Sequence, residues 1–185
     1  MAKIAVIGAG ITGVTTAYEL SRKGFDVTVF DRNRYAAMET SYANGGQISV
    51  SNAEVWSQWK TIFKGLKWMM RRDAPLLVNP KPEWRKIKWM AAFMGNIPDY
   101  RANTVETVRL ALQARAVLFE TAEREGIDFD HVERGILHVY EDEGELEHGR
   151  FVSGMLAEGG LERREVSVAE AKDIEPALGE FGRAN

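Results

Sequence analysis

The chain has 185 residues, about the size of one average domain. Charged residues make up 28% and the apolar and aromatic set 45%, a globular balance that excludes a disordered or collagen-like chain. Formal net charge is −3, from 24 Lys+Arg against 27 Asp+Glu, which argues against a nucleic-acid-binding protein; the absence of cysteine excludes disulfides, thiol catalysis and cysteine-ligated metal.

No apolar run approaches the length that spans a bilayer. Met1-Ala2-Lys3 leads straight into a strand-like segment rather than a signal peptide. A soluble or peripheral protein made in the cytoplasm is expected.

The first strand is Ile4-Ala5-Val6-Ile7, an apolar run bounded by glycine, as in a strand buried on both faces of a parallel sheet. Ile11 to Lys23 follows with Val14, Ala17, Tyr18 and Leu20 at helical spacing, and Gly24 stands at the C′ position. Val27 to Phe30 is a second β-branched run closed by Asp31. Together they make one β-α-β unit.

The turn between the first strand and the helix reads Gly8-x-Gly10-x-x-Gly13. The bare pattern is weak evidence. Here an apolar strand precedes it, Ala17 and Leu20 lie on the packing face, Gly24 permits the return, and Asp31 ends the second strand. Gly8 makes the tight turn, Gly10 lets a pyrophosphate approach the backbone, and Gly13 lets helix and strand pack closely. The helix N-terminus presents free N–H groups to the phosphates. Asp31 accepts ribose hydroxyls and repels a 2′-phosphate, which disfavours NADP. The alternative is an α/β protein whose glycines serve packing alone.

Residues 33–53 are polar, with Gly45-Gly46 near their centre and no third parallel strand directly after Asp31. That gap favours FAD over NAD. Glu39 to Ser49 supplies hydroxyls, amides and a Gly-Gly pair suited to phosphate, ribityl or flavin-edge contacts, although its composition equally suits a surface loop.

Residues 55–94 read as helical in two stretches. Trp59, Ile62, Phe63, Leu66, Met69 and Met70 mark the first, and Trp84, Ile87, Ala91 and Met94 the second, with Pro75, Pro80 and Pro82 between them. Asn103 to Glu125 reads as a helix with Asn103 as N-cap, Glu106 at the third position, one face of Val105, Val108, Leu112, Ala116 and Phe119, and Gly126 as stop. Ile136 to Tyr140 reads as a strand, Glu141 to Glu158 as a helix, and Leu161 to Val166 as a further strand. Ser167 with Glu170 starts a short helix that Pro176 closes.

Residues 59–72 carry Lys60, Lys64, Lys67, Arg71 and Arg72 without an acid, whereas 120–147 are mostly acidic. The preferred reading of the basic stretch is a helix that packs its apolar residues into a domain, with solvated lysines outside; the alternative is an amphipathic helix lying on anionic lipid. His131, His138 and His148 have no metal-ligand spacing, so no metal is assigned, and they read as ordinary surface or strand residues. No Ser/His/Asp arrangement stands out and no catalytic residue is named.

The segments Val6-Ile7-Gly8-Ala9-Gly10, Val27-Thr28-Val29-Phe30-Asp31-Arg32 and Glu39-Thr40-Ser41-x-Ala43-Asn44-Gly45-Gly46-Gln47-Ile48-Ser49 resemble the FAD-dependent D-amino acid dehydrogenases, within the D-amino acid oxidase-like flavoenzymes. The likeness continues through Leu66-Lys67-Trp68-Met69, Ala74-Pro75-Leu76, Lys88-Trp89-Met90, Gly135-Ile136-Leu137 and Glu175-Pro176-Ala177-Leu178, so it covers nearly the whole chain. Gly45 replaces a frequent alanine.

This resemblance implies an α/β fold: a Rossmann-like FAD-binding β-α-β unit over residues 1–50, then part of an α+β substrate domain over 51–185, mostly helical with a few strands. It implies FAD bound at its pyrophosphate by Gly8, Gly10, Ile11, Thr12 and Gly13. Asp31 and Arg32 would lie near the adenosine, and Ser41, Asn44, Gly45, Gly46 and Gln47 toward the flavin. The implied reaction passes hydride from the Cα of a D-amino acid to the flavin. The resulting imino acid hydrolyses to a 2-oxo acid, and the electrons go to a membrane quinone or respiratory chain.

The resemblance also implies an N-terminal portion of a longer protein. The substrate-carboxylate arginine and tyrosine and a late glycine-rich FAD contact would lie in the missing part or on a partner chain. Glycine, sarcosine or proline oxidoreductases, and a non-catalytic nucleotide-binding fragment, are the competing readings. The expected location is cytoplasmic or peripheral on the inner face of the cytoplasmic membrane.

Overall fold

The structure is a computed structural model that describes residues 2–69 and 81–181, with only the backbone at 180 and 181. Met70, Arg71, Arg72, Pro75, Pro80 and the Ala74-Pro75-Leu76 motif lie outside the described residues, as do residues 182–185. The chain divides into two compact units, Met1–Ile48 and Ser49–Asn185.

The first unit is the expected β-α-β motif. β1 (Lys3–Ile7), α1 (Ile11–Arg22) and β2 (Asp26–Phe30) follow in order, and the strands pair in parallel with Lys3 opposite Asp26 and Ile7 opposite Phe30. Alternating side chains send Val6 toward α1, where its Cγ1 lies 3.6 Å from the position a Gly13 Cβ would take. Thr15 and Thr16 turn their hydroxyls back to the carbonyls of Ile11 and Thr12 at 2.8 and 2.7 Å, so neither exposes an unpaired polar group on the helix. Gly24 ends α1 in the left-handed region, φ +82°. Residues 31–49 form neither helix nor strand.

The first strand, expected to be buried on both faces, is half-buried at Ile4 and Val6 and exposed at Ala5 and Ile7, Ile7 at 91%. Among the described residues of this unit, α1 is the helix that packs on the sheet, against one face.

The second unit opens with a single 3-10 turn at Val50–Asn52, then α2 (Trp59–Met69), α3 (Trp84–Gly95), α4 (Tyr100–Glu125), α5 (Glu143–Gly159), α6 (Val168–Ile174) and α7 (Leu178–Phe181). Its core is the crossing of α4 and α5 against the 3-10 turn. Val50, Ala53, Val105, Val108, Val152, Met155 and Leu156 are buried there, each large side chain worth about 1.5–3 kcal/mol. Close approach depends on Gly159, where a Cβ would stand 2.6 Å from Val108. The buried Thr104 hydroxyl accepts the Val55 N–H at 3.4 Å. Asp142 caps α5 by accepting the Glu145 N–H at 2.8 Å, and Ser167 caps α6 through Glu170 at 3.2 Å.

Several expectations are corrected. α4 starts one turn earlier than Asn103, because residues 96–100 fold directly out of α3 through the bonds Asp99 N–H to Asn96 O and Tyr100 N–H to Ile97 O. Residues 136–140 and 161–166 are not strands: an extended segment needs a neighbour to complete its hydrogen bonds, and β1–β2 is the sheet found among the described residues. Instead Arg163 binds the Gly149 carbonyl and the Ser153 hydroxyl, both at 2.8 Å, and so holds its segment against α5. The second unit is therefore helical where an α+β arrangement was expected. Of the apolar residues that mark α2, Ile62 is half-buried, while Trp59, Phe63, Leu66 and Met69 are exposed. His138 is half-buried and bonded to Ser51 at 2.8 Å, outside any strand. No helix among the described residues is long and apolar enough to cross a membrane.

Candidate dinucleotide-binding site

The site is the mouth of α1. Gly8 leaves β1 at φ +99°, a conformation L side chains rarely adopt, while its N–H still donates to the Phe30 carbonyl at 2.7 Å. Gly13 is fixed by packing: a Cβ there would stand 1.8 Å from the Gly8 carbonyl oxygen. Gly10 differs from both. Its φ of −74° and ψ of −179° suit any residue, and a Cβ would meet only the Ser41 Oγ, at 3.4 Å. Among the described residues nothing else lies within 4 Å of a Cβ at position 10, and without one the turn's backbone is open to the close approach of a phosphate.

Hydrogen-bond donors converge at the same place. α1 has no side-chain N-cap from Gly10, and its first N–H, on Ile11, donates to the Ser41 Oγ at 2.9 Å. Ser41 accepts in that bond, so its own O–H remains free to donate. The amides of Gly10, Thr12 and Gly13 donate to no protein acceptor among the described residues. Free amides, a hydroxyl and the positive end of the helix dipole form an anion-binding corner.

Asp31 stands beside it. Its Oδ2 accepts the Ala9 N–H and its Oδ1 the Asn33 N–H, each at 2.7 Å. These backbone bonds, Asn33 first and Ala9 second, hold the carboxyl below its usual range. Each oxygen retains a lone pair for a ribose hydroxyl. Arg32 is turned onto Glu39, with Nε 2.8 Å from Oε1, and Asn33 reaches the same carboxylate. The Arg32 hydrogen bond is the main reason the Glu39 carboxyl is also lowered.

The polar loop closes over the fingerprint. Ala37 has φ +61° and gives its N–H to the Ala9 carbonyl at 2.8 Å. A groove of about 430 Å³ runs between Ile11 and Val14 of α1 and the loop residues Ala36, Ala37, Thr40, Ser41 and Asn44. Asn44 binds the Thr40 carbonyl and accepts the Gly46 N–H at 2.8 Å, and Gly46 takes φ +61°. Gly8, Gly10, Ile11, Thr12, Gly13, Asp31 and Ser41 thus meet at one corner. Gly45, Gly46 and Gln47 are exposed and lie outside the groove lining. The tie between Ala9 and Ala37 was not anticipated. No cluster among the described residues has the makings of a metal site.

A Gly-rich turn, free helix-end amides and a strand-end carboxylate fit a dinucleotide carrying two phosphates and a ribose. The chain belongs to the FAD dependent oxidoreductase family, whose match covers residues 3–184. FAD is the cofactor of that family.

The chain is 64% identical to "D-amino acid dehydrogenase 3" of Mesorhizobium japonicum, over 96% of this chain and 43% of that protein. It is 44% identical to "D-amino acid dehydrogenase" of Paramagnetospirillum magneticum over 96% and 43%, and 42% identical to that of Dechloromonas aromatica over 95% and 43%. It therefore spans less than half the length of these curated relatives. No solved structure matches it at a significant level.

Proposed function

We propose that this chain is the N-terminal part of a flavoenzyme that oxidises D-amino acids to 2-oxo acids and ammonia. One observation carries the cofactor part of the reading: Gly10 stands at the mouth of α1 among amides that donate to no acceptor among the described residues, and the similarity to D-amino acid dehydrogenases supports the substrate. Gly8, Gly10, Ile11, Thr12, Gly13 and Ser41 would hold the pyrophosphate of FAD at that corner, and Asp31 the adenosine ribose. Arg32 lies on the adenosine side, and Asn44, Gly45, Gly46 and Gln47 run toward the flavin. Residues 1–50 serve as the start of the FAD domain and 51–185 as part of the substrate domain.

Bound FAD would supply the two-electron oxidant for turning the substrate's Cα–N bond into an imine, which water hydrolyses to the 2-oxo acid and ammonia. This chain's residues supply binding and orientation: amides and a hydroxyl neutralise the phosphates, and the Asp31 carboxylate fixes the sugar. The electron acceptor is a quinone or respiratory carrier, which places the protein in the cytoplasm at the inner face of the membrane. Further FAD contacts and the substrate-carboxylate ligands come from the part of the relatives that this chain does not span, or from a partner chain.

The test is a dye-reduction panel on full-length protein carrying FAD. Reduction with D-alanine and other D-amino acids, and none with glycine, sarcosine or L-proline, is expected. A protein without flavin, or one reduced only by the last three, refutes the reading.

A further inference from the structure

Three polar side chains of the second unit form a hydrogen-bonded chain. The Ser49 and Ser51 hydroxyls lie 3.1 Å apart, and the Ser51 Oγ lies 2.8 Å from Nε2 of His138, 87 residues further along the sequence. All three residues are half-buried. The Ser49 hydroxyl has no other partner among the described residues, so the chain has an open end there. Ser49 stands two residues after Gln47, at most about 7 Å of backbone from the segment proposed to run toward the flavin.

His138 differs from the other two histidines. His148 lies 3.1 Å from the Glu54 carboxylate and His131 lies 3.7 Å from that of Glu133. His138 pairs with no carboxylate among the described residues, and the charged group that acts on it is Arg163. Arg163 comes from the segment after α5 and is itself anchored on the Gly149 carbonyl and the Ser153 hydroxyl. Burial first, and Arg163 second, hold the His138 ring below its ordinary 6.5. The ring is therefore neutral at neutral pH, and its Nε2 can take a proton.

Oxidation of an amino acid calls for such a group. The ammonium nitrogen has no lone pair, and the imine forms only once an N–H proton has gone. We propose, on the D-amino acid reading above, that His138 receives this proton through Ser51 and Ser49. With the ring in its Nδ1–H tautomer, the ammonium N–H bond breaks and its proton passes to the Ser49 Oγ. The Ser49 proton moves to the Ser51 Oγ, and the Ser51 proton to His138 Nε2. The substrate is left as a neutral amine, His138 as imidazolium, and no electrons change hands. The imidazolium then gives a proton to water. Ser49 touches the substrate; Ser51 and His138 act through it as positioning residues.

The test is anaerobic stopped-flow reduction of FAD by D-alanine in the full-length protein, from acid to alkaline pH. The parent rate should fall as pH drops through a value below 6.5, where His138 is already protonated. His138→Gln keeps a hydrogen bond to Ser51 but cannot titrate. It should be about 100-fold slower near neutral pH, and recover toward the parent rate at alkaline pH, where the substrate amine is already neutral. Ser51→Ala should show the same displaced profile with His138 intact, and Ser51→Thr should restore the parent one.

The proposal is overturned by a parent rate without the acid limb, or by a parent-like profile in His138→Gln or Ser51→Ala. Equal slowing at every pH also overturns it, since that is what a merely structural role would give. Should His138→Gln fail to hold FAD, Ser51→Ala decides by the same profile. A protein whose flavin no D-amino acid reduces loses the proposed function, whereas reduction with unchanged variant profiles loses the proton path alone.

Discussion

Substituting the fingerprint glycines one at a time separates folding from cofactor binding. Gly10→Ala places a methyl 3.4 Å from the Ser41 Oγ, in a backbone conformation alanine accepts. Alanine is the poorer N-cap by several tenths of a kcal/mol, and it offsets about 0.4–1 kcal/mol by restricting the unfolded chain. The stability of the flavin-free protein should therefore change by less than about 0.5 kcal/mol. The same methyl stands where a phosphate must approach. If it displaces the pyrophosphate from two charge-assisted bonds of about 1.5–3 kcal/mol each, FAD affinity falls by roughly 3–6 kcal/mol, or about 10²–10⁴-fold in Kd. Gly13→Ala has the opposite signature. Its methyl would stand 1.8 Å from the Gly8 carbonyl, so the β-α-β unit itself must distort, at about 3 kcal/mol or more. Urea unfolding of flavin-free full-length protein and fluorescence titration with FAD measure the two quantities. A Gly10→Ala protein that binds FAD within threefold of the parent, or that is as unstable as Gly13→Ala, refutes the reasoning.

Other expectations follow from the same contacts. The Asp31 carboxyl is depressed in the folded protein relative to its ordinary 3.8, so its stabilising bonds are present above that value. They are lost as pH falls through the lower folded value; the stability gap between parent and Asp31→Asn should be flat above about pH 5 and close below the unfolded value, as pH-dependent urea unfolding would record. Gly159→Ala should destabilise the α4–α5 crossing by about 1–3 kcal/mol, since its methyl would stand 2.6 Å from Val108; thermal unfolding checks this. Tyr100 donates its hydroxyl to the Glu54 Oε1 at 2.5 Å, and burial, more than that bond, pushes its ionisation upward. Tyr100→Phe should cost about 1.5–3 kcal/mol, because the bond is to a charged acceptor, and a change below about 0.5 kcal/mol in urea unfolding would contradict that role.

The first unit was legible because its signals are local. Strand, glycine turn, helix and carboxylate succeed one another within one β-α-β motif, and each residue's duty follows from its immediate neighbours. Asp31 and Gly13 fall where the pattern puts them. The tie of Ala37 to Ala9 was not legible, because a non-glycine residue at positive φ leaves no mark in composition. Residues 136–140 carry the apolar and aromatic composition of a strand, yet strand formation depends on a partner that local sequence does not supply. Asn103 and Glu106 look like a helix start, but hydrogen bonds at residues 96–100 set the true one a turn earlier. The amphipathic pattern of α2 was readable, whereas which medium faces its apolar side was not.

The central claim is that the ADP part of FAD rests at the mouth of α1. A crystal structure of the full-length protein with FAD tests it most directly. The account predicts pyrophosphate oxygens within about 3 Å of the Gly10, Thr12 or Gly13 amides and of the Ser41 hydroxyl, with the ribose on Asp31. FAD bound with its phosphates away from these groups would contradict it.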